Sequence, residues 1–134
     1  MIGAVVGTLL QAMLPFTTLV EGGDSRMLES REVGIRTVDE WRGLWKEHRT
    51  GALPDVDFSK SMVVGVFSGS RPTTGCRVEI VSISHVGGVV VVEYRERTPA
   101  PDALVAQMLT SPFHLVSVPR KSGVFRFKRL VPPG

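Results

Sequence analysis

The chain has one cysteine, Cys76, which leaves no internal disulfide framework. Its three histidines, His48, His85 and His114, are scattered without metal-ligand spacing, and Asp55 and Asp57 lack the remainder of a calcium loop. No metal and no cofactor are therefore expected. Charge is also sparse at the start: no charged side chain occurs before Glu21. Met1 to Val20 thus lacks the basic start of a signal peptide, and it carries no lipid-bearing cysteine. Gly3, Gly7, Gln11 and Pro15 interrupt the stretch, so it makes a poor membrane-spanning helix. Sixteen Lys and Arg against thirteen Asp and Glu give a net charge of +3, well short of a nucleic-acid footprint.

What is present suits one domain with a single core: 134 residues, 43% of them hydrophobic. Residues 1–15 form an apolar N-terminal segment, expected to pack on the domain or on a second subunit; Met1 to Leu14 would then support a homo-oligomer. A degenerate signal sequence is the other reading of that segment, so the compartment stays open between cytoplasmic and exported without a clear signal peptide. Residues 16–134 form the domain proper.

The β-branched stretch Phe16 to Glu21 predicts a strand, and Gly22-Gly23-Asp24-Ser25 predicts a hairpin turn leading to a second strand over Arg31 to Arg36. Thr37 followed three residues later by Glu40 is a capping box. Trp41, Leu44, Trp45 and His48 then share one helical face, read as core, with Gly51 closing the helix and His48 capping its C-terminal end. Asp57 reads as a turn-former. The continuous apolar run Met62 to Phe67 predicts a central strand covered on both faces. Cys76 to Ile83 and Val89 to Glu96, joined by Gly87-Gly88, are expected to complete a three-stranded meander with it. Prolines at 99 and 101 end that unit, and Ala103 to Leu109 forms either a short helix or an irregular crossing. Phe113 to Val118 and Val124 to Leu130 make a last pair of strands about Ser122-Gly123. In the final strand Arg126 and Lys128 alternate with Phe125 and Phe127, as on the solvated face of a sheet.

The strongest site candidate is the loop Gly69, Ser70, Arg71, Pro72, Thr73, Thr74 and Gly75, set between two predicted strands. Pro72 fixes one φ angle and Gly75 permits a left-handed turn, so the loop is pre-organised for a partner. The same features also suit a plain connection between strands. The loop lacks the Lys-Ser/Thr ending of a phosphate loop and leads into a strand. His114 and Cys76 are secondary candidates. A thiolate-imidazole pair of Cys76 with His48, His85 or His114 has no acidic residue spaced to orient it, so Cys76 reads as a structural thiol and no catalytic residue is assigned.

The order of short motifs carries a family resemblance. Trp41-x-x-x-Trp45 is followed by Leu53-Pro54-x-Val56-Asp57-Phe58-Ser59-Lys60 and Gly65-x-Phe67-x-Gly69-x-Arg71-Pro72-Thr73-x-Gly75. Pro99-x-Pro101 and Thr110 to Val116 complete the series, which resembles the C-terminal domain of the PrcB family of protease complex subunits over roughly Phe16 to Leu130. Cys76 stands where that family commonly has an aromatic residue. The resemblance implies association with a protease.

The expected architecture is α+β: one twisted antiparallel sheet of about six or seven strands with the Trp41–Trp45 helix packed across it. The expected role is a non-catalytic protein-interaction module, an accessory or regulatory partner of a protease or envelope complex. It is not expected to be an enzyme, to bind nucleic acid or to span a membrane. The alternative is a small-ligand-binding or hydrolytic domain using Gly69 to Gly75 with His114.

Overall fold

The computed structural model describes residues 11–49 and 51–131. In chain order the elements are β1 (Gln11–Met13), β2 (Thr17–Gly22), β3 (Arg31–Ile35), α1 (Val38–His48), β4 (Ser61–Phe67), β5 (Arg77–Val86), β6 (Val89–Arg97), β7 (Phe113–Pro119) and β8 (Phe125–Arg129). The strands form two sheets of four, ordered β1-β5-β6-β8 and β2-β7-β4-β3. Among the described residues the protein is mostly β with one helix, in three layers: α1, then the β2-β7-β4-β3 sheet in the middle, then the β1-β5-β6-β8 sheet outside.

Side-chain alternation along β4 produces the layering. Met62, Val64 and Val66 join Val78, Ile80, Ile83, Val90 and Val92 in the core between the sheets. Val63 and Phe67, pointing the other way, join Trp41, Leu44 and Trp45 beneath the helix. A strand apolar on both faces needs a layer on each. One helix of 11 residues covers only one of those faces. The other must be covered by a second sheet, which is why the single sheet expected from sequence is instead two.

Several connections change accordingly. Strands β2 and β3 lie at opposite edges of the middle sheet, with β7 and β4 between them, and do not form a hairpin. The expected meander is also broken: β5 and β6 pair as predicted about Gly87-Gly88, whereas β4 belongs to the other sheet. The chain after β7 likewise crosses between sheets, and β8 joins β6 in parallel, the one parallel pairing among named strands. Ala103 to Leu109 takes the irregular course, with no helix.

The helix follows its sequence signals. Thr37 Oγ1 accepts the Glu40 amide at 3.2 Å, and Glu40 Oε1 accepts the Arg36 amide at 3.3 Å. The helix ends at His48, before Gly51. Asp57 Oδ1 accepts the Ser59 amide at 3.0 Å, the predicted turn. His48, expected to cap the helix end, is instead fully buried. Most of the expected oligomer-forming stretch Met1 to Leu14 lies outside the described residues. Its described part pairs with β5 as β1, and Leu14 enters the core between the sheets. Among the described residues no helix is long and apolar enough to cross a membrane.

Candidate functional site

The loop after β4 is the start of a crossing between sheets, and backbone hydrogen bonds hold it against two other segments. Ser68 N–H donates to Pro112 O at 2.9 Å and Ser70 N–H to Leu28 O at 3.0 Å. Arg71 and Thr110 exchange both backbone bonds, at 2.8 and 2.9 Å. Thr74 N–H reaches Ala106 O at 3.1 Å, and the Ala106 amide donates to Thr74 Oγ1 at 2.8 Å. Gly69 has φ +80° and would place a Cβ 2.8 Å from the Ser30 amide; Gly75 has φ +90° and packs on Pro99 and Val105. Both positions need glycine, for backbone conformation and for room. The loop and the 103–110 segment thus form one ledge whose backbone is fixed from within. Leu104, Met108 and Leu109 are exposed on it, with Pro72 beside them and exposed Leu28 sharing a cleft with Leu109 and Ser70.

Arg71 is committed to this framework. Its Nη2 donates to both oxygens of Glu96 at 2.6 and 2.5 Å, and Nε adds a bond at 3.0 Å. The Glu96 side chain is only 7% exposed, against 28% for Arg71, so the pair ties the loop to β6 largely out of water. Arg129 stands 3.7 Å from the same carboxylate. Removing Arg71 strands a buried charge that Arg129 compensates only in part. Arg71→Ala is therefore expected to cost about 2 kcal/mol. Urea unfolding of Arg71→Ala, Glu96→Gln and the double variant checks this; strictly additive losses would show that the pair contributes nothing.

His114 is not joined to the loop. From β7 it reaches across the interior, where Nδ1 accepts the Ile80 amide at 2.9 Å and Nε2 meets Thr18 Oγ1 at 2.8 Å. Since Nδ1 is an acceptor, Nε2 carries the proton. Burial lowers the pKa of His114, so the imidazole stays neutral and links β7 and β2 to the outer sheet beside the β5 bulge. Cys76 is half-buried and lines an open cleft of about 380 Å³ with Glu21, Gly22, Gly75, Arg77 and Phe113. His114 does not line it.

A buried pair that sequence reasoning missed is Ser25 with His48, whose Oγ and Nδ1 are 2.8 Å apart. Ser25 Oγ also accepts the Met27 amide at 3.0 Å. His48 Nε2 then has no partner among the described residues and sits amid Trp45, Phe67 and Phe113. Desolvation, then the Arg49 charge, lowers its pKa to about 4. An imidazole so weakly basic is a poor proton acceptor at neutral pH. The Trp41-Leu44-Trp45-His48 stripe indicated the burial of His48. Nothing in the residue order indicated Ser25 as its partner, because Ser25 arrives from the connection between β2 and β3.

Residues 62–119 match the family model described as PrcB C-terminal. No curated protein and no solved structure matches the chain. The matched stretch is narrower than the resemblance read over Phe16 to Leu130, leaving the Trp41-Trp45 and Leu53 to Lys60 motifs outside. It spans β4 to β7, the four inner strands of the two sheets, and both main segments of the ledge. Over Met62 to Pro119 the chain is therefore similar to a PrcB C-terminal domain.

Proposed function

We propose that this chain is a non-catalytic protein-interaction module, an accessory or regulatory partner of a protease or envelope complex, and that it docks through the ledge of residues 69–75 and 103–110. The observation that carries this reading is the exposure of Leu104, Met108 and Leu109 on a backbone already fixed by internal hydrogen bonds. A pre-organised apolar surface loses little conformational entropy on binding. The PrcB C-terminal match supports a protease-related setting. Arg71, engaged with Glu96, acts in this reading by holding the ledge, and the contacts fall to its apolar neighbours. The alternative, a small ligand held between the loop and His114, has less support because both ring nitrogens of His114 are bonded inside the fold.

The test is capture of partners from the native host by the full chain and by a Leu104→Glu, Leu109→Lys variant, read by quantitative mass spectrometry. Both positions are exposed, so the variant is expected to keep the parent circular dichroism and melting point. Specific partners should fall by at least about tenfold, as for loss of central apolar anchors. An unchanged partner set with an intact fold overturns the proposal.

A further inference from the structure

The outer sheet ends in β8, and the hydrogen bonds at its two ends define which way its backbone points. Val90 N–H donates to Val124 O at 2.9 Å, and Leu130 N–H donates to Tyr94 O at 2.7 Å. In a parallel ladder alternate residues face the partner strand. Residues 124, 126, 128 and 130 therefore face β6, while the N–H and C=O groups of Phe125, Phe127 and Arg129 point to the other side. Among the described residues β8 has no second strand neighbour. A row of unpaired backbone donors and acceptors is a template for one more strand.

The side chains restrict what that strand is. Phe125 and Phe127 pack against the core between the sheets, and Arg126 and Lys128 stand exposed on the opposite face. Arg126 has no ion pair among the described residues, and Lys128 reaches Glu93 only at 4.0 Å. Exposed Val124 and Val131 flank the strand. A second copy of β8 on this edge would set Arg126 and Lys128 against their own counterparts, and like charges on paired strands repel. The edge is thus guarded against itself and open to the opposite sign. Single-stranded nucleic acid is the poorer fit, because it is bound through exposed aromatic platforms and here both phenylalanines face inward.

We propose that the open edge of β8 receives an extended acidic segment of a partner protein as a fifth strand of the outer sheet. Backbone bonds to Phe125, Phe127 and Arg129 supply the pairing, and carboxylates at alternate positions meet Arg126 and Lys128. This surface does not depend on the ledge, and either can fail without the other.

The experiment uses the full chain and a seven-residue peptide of alternating Glu and Val, followed by fluorescence anisotropy and by amide hydrogen exchange. Controls are an alternating Lys-Val peptide, a polyglutamate of matched charge and a single-stranded oligonucleotide. The expected result is binding of the Glu-Val peptide with new protection at the amides of Phe125, Phe127 and Arg129. The Arg126→Glu, Lys128→Glu variant should weaken that binding by at least about tenfold. Both positions are exposed, and the unliganded exchange pattern of the variant reports whether it folds. The proposal is overturned by absence of binding or by binding without protection at those three amides. It is equally overturned by equal affinity for any control, by unchanged affinity in the folded variant, or by a dimer that protects the same amides without peptide.

Discussion

Lowering the pH from 7 to 4 is expected to destabilise the fold by about 3 kcal/mol through His48 alone. The imidazole is fully buried, and its pKa falls from 6.5 to about 4. Between those values the unfolded chain holds a proton that the folded chain does not, so stability declines as pH falls through this window. Above 6.5 the group contributes no pH dependence, and below about 4 the loss is complete. The groups around it are Arg49 and Arg26, which disfavour the proton, and Asp24, which favours it. His114, also lowered by burial, acts in the same direction. Glu79 is held at about 2 by hydrogen bonds from Arg97 and Arg95, so its ion pairs persist across the window. Urea unfolding at pH 7, 6, 5 and 4 should show the decline. His48→Gln should flatten it whatever the variant's own stability; a pH profile parallel to that of the parent would remove His48 as the cause.

Trp41→Ala is expected to be more costly, at about 4 kcal/mol. The indole is 1% exposed, lies 5.6 Å from the Trp45 ring centroid and donates Nε1–H to Pro54 O at 3.0 Å. The substitution opens a cavity beneath α1 and leaves the Pro54 carbonyl without its donor. Trp41→Phe fills much of the cavity but lacks the donor, so its loss should be about 1–2 kcal/mol. Denaturant midpoints with matched slopes give both values. A loss below about 1 kcal/mol for Trp41→Ala would mean that α1 is dispensable to the middle sheet. The consequence would extend to the proposed function, because that sheet carries β4 and β7, from whose ends the ledge is built.

Local chemistry made much of this protein legible in advance. Thr37 and Glu40 marked the start of α1, Asp57 marked its turn, and Gly87-Gly88 marked the β5–β6 hairpin. Each depends on residues a few positions apart. The ledge was only half legible: Gly69, Pro72 and Gly75 identified a pre-organised loop, but its hydrogen-bonded partners Ala106 and Thr110 lie more than thirty residues further on. Arg71 looked like a recognition residue because its partner, Glu96, lies 25 residues away on β6. His114 looked available for the same reason, since Thr18 and Ile80 come from two other strands.

The sequence by itself determined the α+β class, the nature of nearly every strand, the capped helix with its tryptophan stripe and the Gly69–Gly75 turn residues, because alternation, capping and turn chemistry act over short distances. Tertiary structure alone decided that the strands divide between two sheets, that β8 lies parallel to β6, that Arg71 pairs with Glu96, that His48 meets Ser25 and that His114 faces inward. Those outcomes depend on which surfaces remain to be covered once the elements exist. An apolar strand such as β4 states that both its faces must be buried, and only packing selects what buries them.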